Sequence, residues 1–185
     1  MLDDIYADAR VRMDKTIEAT KSDFSAIRTG RATPALLDRV SAEAYGASMP
    51  INQLATISVP QPRLLVIQPF DKGNITLIEK AIQTSDLGIN PRNDGKSIFL
   101  DIPPLTEERR TELVKQMKKV GEEMKVAIRS IRRDARDEVD LLKEEKEISE
   151  DDQKRGHDEI QKLHDEYIKK IEELMRKKES DIMEF

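Results

Sequence analysis

Residues 126–139 read VAIRSIRRDARDEV, with four arginines, Arg129, Arg132, Arg133 and Arg136, inside eight positions. The arginine guanidinium is planar, permanently charged and forked, so it grips phosphate through two parallel N–H···O bonds and can stack on bases. Arginines at this density imply capture of a polyanion, a chemistry at odds with the chain's net charge of −5. Local balance removes the conflict. Residues 115–136 hold eight basic and three acidic side chains, whereas residues 137–152 hold two basic and nine acidic ones. Charge beyond a Debye length of about 8 Å is largely screened, so one face can hold a polyanion while the others repel it.

Other candidate chemistry fails on spacing. DGKS at 94–97 lacks the glycine that a phosphate loop needs five residues before Gly95, where Asn90 stands, and a strand follows it instead of a helix. His157 and His164 are the only histidines; they lie seven apart beside Asp158 and Asp165, and nothing further completes a metal site. We read them as solvated. No nucleophile with an adjacent base is discernible, so no catalytic residue, metal or cofactor is expected, and the chain does not read as an enzyme. The absence of cysteine excludes disulfides and thiolate sites and fits a reducing cytoplasm.

The arginines need a helix to align them. The seam Leu113, Met117, Val120, Met124, Ile128, Ile131, Ala135, Val139, Leu142 takes eight steps over 29 residues, a period of about 3.6 that predicts one long, nearly straight helix. On a wheel of about 100° per residue with Ile131 at zero, this seam centres near 25°, while Lys118, Lys125, Arg129, Arg132, Arg136 and Lys143 fall between about 100° and 160°. Arg133 lies just beyond them. Glu122 and Asp140 intrude at the edge; Glu123, Asp134, Asp137 and Glu138 take the opposite flank. The spacing predicts a solvent-facing basic stripe beside the core. An ordinary solvated face laced with ion pairs is the competing reading, and the stripe has few acids placed to support it. With no aromatic side chain among the arginines, a structured, phosphate-rich RNA surface fits better than unpaired bases.

Two more helices share this periodicity. Residues 2–28 place Leu2, Ile5, Ala9, Met13, Ile17, Thr20, Phe24 and Ile27 on one face. Thr106, followed by Glu107 and Glu108, opens the arginine helix. EISEDD interrupts it, and Ser149 caps a third helix with the seam Ile160, Leu163, Tyr167, Ile171, Leu174. Three apolar faces bury most readily on one another.

Between them, residues 31–104 hold all eight prolines. Thr33-Pro34 starts a short helix. NQLATISV, RLLVIQ and SIFLDI read as strands, RNDG as a turn, and NITLIEKAIQTS as a helix facing inward with Ile75, Ile78, Ala81 and Ile82. The expected class is α+β: an elongated three-helix bundle from residues 1–29 and 106–185, with a small α/β domain, 31–104, inserted. Two connections join them, Arg28, Thr29, Gly30 and Arg31 on one side and 102–106, with Pro103, Pro104 and Leu105, on the other. Gly30 lends freedom and the prolines stiffness, so we expect a two-stranded hinge; tight, rigid boundaries are the alternative. The first twenty residues hold no signal-peptide run, and Leu64–Ile67, the longest aliphatic run, falls far short of a membrane span. A soluble, cytoplasmic protein is expected.

Taken together, IRTGRATPALLD, SDLGINP, PPLTEERR, IRSIRRDA, EISEDD and EIQKLHDEYIKKIEE resemble the bacterial ribosome recycling factor family, essentially end to end. One departure is Ala44, where the family commonly carries a further tyrosine before Tyr45-Gly46. The resemblance implies a helical domain lying on ribosomal RNA of the large subunit, with Arg132 among its main contacts. It also implies a hinged small domain on which the GTPase elongation factor G acts, and separation of the subunits after termination, with mRNA and tRNA released. The factor itself would hydrolyse nothing. A helical adaptor or chaperone is the rival from another class. It would need a homo-oligomeric core or exposed apolar surface, for which Met175, Ile182, Met183 and Phe185 are the candidates, whereas the recycling reading expects an elongated monomer.

Overall fold

The computed structural model describes residues Met1–Glu184; Phe185 lies outside the described residues. The chain divides into two compact units, one formed by Met1–Arg28 with Glu107–Glu184 and the other by Thr29–Thr106.

The first unit is three helices: α1 (Leu2–Ala26), α4 (Glu107–Glu144) and α5 (Glu150–Met183). Spacings of three and four bring Ile5, Ala9, Met13 and Ile17 of α1 into one core with Ile128, Ile131, Ala135 and Val139 of α4 and Ile160, Leu163, Tyr167 and Ile171 of α5. Each buried aliphatic side chain contributes about 1.5–3 kcal/mol, and that burial holds the helices more than propensity does. Gly121 takes a buried seam position where Val120 was expected, and it leaves the room that Met175 fills. At 38 residues, α4 is about 57 Å long. It ends at a tight turn with Lys146 in the left-handed region (φ 61°). Ser149 then caps α5 in a reciprocal box with Asp152, each side chain receiving the other's backbone N–H.

Polar links tie α1 to both partners. Arg12 pairs with Asp134 of α4, and the Tyr167 hydroxyl donates to the Asp14 carboxylate. Tyr167 is 1% exposed. Burial, then the bond to Asp14, pushes its pKa up to about 12 from 10.0. A pKa raised by folding stabilises the fold fully below the unfolded value, and that contribution is lost as pH rises through the folded one. The melting temperature should therefore decline between pH 10 and 12. Tyr167→Phe should flatten that decline, and an identical decline in the variant would remove Tyr167 as its cause.

The second unit contains β1 (Ser41–Ala44), β2 (Ala47–Pro50), a helical turn α2 (Ile51–Leu54), β3 (Ala55–Gln61), β4 (Leu64–Pro69), α3 (Ile75–Gln83), β5 (Arg92–Asn93) and β6 (Ile98–Asp101). β1 and β2 form an antiparallel hairpin, and the other four strands form an antiparallel sheet in the order β3-β4-β6-β5. Alternation puts Leu65, Ile67, Ile98 and Leu100 on one face, where they meet Ile78 and Ile82 of α3 and Ile51 of α2. The NQLATISV strand starts later than its composition suggests. Ile51 and Leu54 are both buried, and a strand would send residues three apart to opposite faces, whereas a helical turn sends both inward. In RNDG only Asp94 and Gly95 turn: Arg92 and Asn93 pair with Phe99 and Ile98 as an edge strand, and the Asp94 carboxylate accepts from the Lys96 and Ser97 amides.

The chain enters and leaves this unit side by side. The Ala32 amide donates to the Pro62 carbonyl and the Ile102 amide to that of Arg63, both at 2.8 Å, at the tip of the β3–β4 hairpin. Gly30 is buried with φ +73°, and a Cβ there would stand 3.0 Å from Leu105 Cγ. Thr29 and Leu105 are half-buried; Arg28, Arg31, Pro103 and Pro104 are exposed.

Candidate nucleic-acid interface

The basic stripe of α4 runs along its border with α5, and the two helices are antiparallel there. Lys118 pairs with Glu179 at 3.1 Å and Lys125 with Glu172 at 3.2 Å. Arg132 Nη1 donates to Gln161 Oε1 at 3.3 Å, and Arg136 Nη2 stands 3.4 Å from His157 Nδ1. These four cross-helix pairs form one ladder whose character changes along its length. At the two lysines the partner is a carboxylate; at the two arginines it is an amide oxygen and an imidazole nitrogen. Arg129 and Arg133 are exposed. Among the described residues none of Arg129, Arg132, Arg133 and Arg136 forms an ion pair with a carboxylate.

The structure thus brings the four arginines together and sets Lys125 apart. Lys125 is not the solvent-facing cation that its wheel position suggests: its side chain is 13% exposed, held by Glu172 and, at 3.3 Å, by Glu122. Its neighbour on α5 neutralises it, and the wheel of a single helix carries no information about a second helix. Arg132 and Arg136 are half-buried by the same border, with their forks at the α4–α5 edge.

The histidines require a correction too. They are not solvated. His164 is buried, with Nδ1 2.9 Å from the Asp165 carboxylate. His157 is half-buried, with Nε2 2.7 Å from Asp140 Oδ1 but out of line for a hydrogen bond. The α5 seam runs through Gly156, Ile160, Leu163 and His164, which buries His164 and leaves His157 at its edge, against Arg136. The hydrogen bond from His164, then that from Gln161, holds the Asp165 carboxyl below the usual range, and the charge of Arg132 adds to this.

Gln161 went unnoticed as a site residue, although a signal existed. The break between Glu144 and Glu150 turns α5 back along α4, which sets residue 132 opposite the neighbourhood of 161. Of the apolar residues named near the C-terminus, Ile182 is fully buried and Met175 packs against the core, while Met183 is exposed. Arg110 donates to the carbonyls of Ile182 and Met183, closing the end of α5. Among the described residues no helix is long and apolar enough to cross a membrane.

The sequence model described as "Ribosome recycling factor" matches residues 20–183. A ribosome-recycling factor from Carboxydothermus hydrogenoformans is 60% identical over 148 residues, 80% of each chain. One from Halalkalibacterium halodurans is 58% identical over 147 residues, covering 80% of this chain and 78% of that one. A solution structure of a ribosome recycling factor superposes with a TM-score of 0.77 at 43% identity, covering 100% of this chain and 98% of the other. The T. thermophilus factor, from models of that factor and E. coli elongation factor G bound to the E. coli post-termination complex, gives 0.67 at 48% identity, with 99% of each chain covered. With the whole of α4 and α5 and the small inserted unit inside the matched span, the chain belongs to the ribosome recycling factor family.

Proposed function

We propose that this chain recycles ribosomes: it binds the post-termination ribosome through the large subunit's RNA and, with elongation factor G and GTP, separates the subunits so that mRNA and tRNA are released. The T. thermophilus relative is described with E. coli elongation factor G, bound to the E. coli post-termination complex, and partners of the same kind are proposed here. The observation that carries the reading is the group of four arginines without a carboxylate partner, on a helix stiffened by two neighbours, in a member of this family. Such a group offers forked donors to phosphate and loses little charge to the protein itself. Arg132, Arg129, Arg133 and Arg136 are proposed as the RNA contacts, with Lys118 and Lys125 contributing less because glutamates hold them. The protein acts as a monomer in the cytoplasm and performs no catalytic step, since the GTP is hydrolysed by elongation factor G.

In this mechanism the helical unit is the anchor and the small unit the lever. Elongation factor G acts on the small unit, and the two connections, Arg28–Arg31 and Pro103–Leu105, serve as the hinge. A bundle whose helices share one continuous core transmits displacement that a flexible chain would absorb. Light scattering from post-termination ribosomes supplied with elongation factor G and GTP provides the test. Addition of this protein should lower the scattering as subunits part, and an unchanged signal would sink the proposal.

A further inference from the structure

The ladder between α4 and α5 changes partner type where the arginines begin, and the change has a purpose. A carboxylate opposite Arg132 would hold its fork firmly and also cancel its charge; a carbonyl oxygen holds the fork and leaves the charge intact. We infer that Gln161, seconded by His157, is a positioning residue that aims Arg132 and Arg136 at phosphate without neutralising them. This rests on the RNA-anchoring role proposed above.

The hydrogen bonds fix which way the Gln161 amide faces. Its Nε2 donates to Asp165 Oδ1 at 2.8 Å and lies 3.3 Å from His164 Nδ1, while Oε1 accepts from Arg132 at 3.3 Å. The flipped amide would set its N–H groups against a guanidinium and its carbonyl against a carboxylate, which is unfavourable on both sides. Gln161 therefore stands between Arg132 and Asp165, the acid that would otherwise be free to pair with it. The same arrangement recurs one turn along. His157 presents Nδ1 to Arg136, with Asp140 on its far side at Nε2, so an imidazole again separates the arginine from an acid. Asp140 is further engaged by the Gln153 amide, 2.7 Å away. Gln161 and His157, four residues apart on one face of α5, thus stand between two carboxylates and two arginines four residues apart on α4.

The substitution Gln161→Glu changes one amide to an isosteric carboxylate and so separates aiming from charge. Binding to purified large ribosomal subunits is measured across a salt series for four proteins: wild type, Gln161→Glu, Arg132→Ala and the double variant. Gln161→Glu should weaken binding about tenfold, and the slope of log affinity against log salt should lose about one phosphate contact, roughly 0.7–0.9. Helical content should stay at the wild-type value, so that weaker binding does not reflect loss of the fold. In the Arg132→Ala background the same substitution should add little, because the group it acts through is gone. Equal weakening in both backgrounds would mean a diffuse charge effect and overturn the inference. Wild-type affinity and slope in Gln161→Glu would overturn it as well. If the wild-type protein itself binds without salt dependence, the RNA-anchoring reading falls, and the inference with it. Gln161→Leu serves as the second variant: it should weaken binding as well, because it loosens Arg132 and frees Asp165 to pair with it, and unchanged binding there would again overturn the role.

Discussion

Arg132→Ala should lower affinity for the large ribosomal subunit by about tenfold to a hundredfold and leave the melting transition nearly unmoved. Hydrogen bonds to charged groups contribute about 1.5–3 kcal/mol each, and a forked guanidinium on phosphate makes two at once. Inside the protein Arg132 makes one 3.3 Å bond to Gln161 at a half-buried site, so truncation leaves no buried charge without a partner. Neighbouring Ile131 and Ile128 are buried core residues; truncating Ile128, with no exposed surface, should cost about 2–5 kcal/mol of stability. Circular dichroism melts beside binding isotherms separate the two kinds of position. If Arg132→Ala lost binding and folding together, Arg132 would be a structural residue instead of an anchor.

Gly30→Val should have the other large effect, on subunit splitting and not on binding. At φ +73° an L residue meets its own carbonyl, at about 1–2 kcal/mol, and a β-branched side chain fits that region worst of all. Its Cβ would also stand 3.0 Å from Leu105 Cγ. The two residues lie where the chain enters and leaves the small unit, the proposed hinge. The arginines, in the helical unit, are untouched. Affinity for large subunits should thus match wild type, while splitting with elongation factor G and GTP slows several-fold. Gly30→Ala, with the same φ strain and less bulk, should fall between. Splitting at the wild-type rate in Gly30→Val would count against a working hinge.

The three helices were legible because their apolar residues recur at spacings of three and four and their ends carry chemistry that can be named, Ser149 with Asp152 above all. The β1–β2 hairpin was not. Its strands, SAEA and ASMP, are short and poor in β-branched or aromatic residues. Its only local signal is Tyr45-Gly46, both in the left-handed region at φ 52° and 77°, the conformation of a two-residue hairpin turn. The α2 turn was hidden for a related reason, since whether Ile51 and Leu54 face the same side depends on where the core lies. On α4 the wheel located the stripe correctly relative to the seam. It could not separate Lys125 from Arg132, because that difference is made by Glu172 and Gln161 on another helix. The histidines were misread likewise: burial of His164 follows from the packing of α5 on α4, which depends on the register between them.

The most direct measurement pellets the protein with purified large ribosomal subunits across a salt series, comparing wild type with Arg132→Ala. If the arginine end of α4 is the anchor, log affinity falls linearly with log salt, at about −0.7 to −0.9 per phosphate contact. The slope should be steep for wild type and shallower by about one contact for the variant. A flat wild-type slope, or one that Arg132→Ala leaves unchanged, would return the arginines to ordinary solvated surface and contradict the anchoring of this protein on ribosomal RNA.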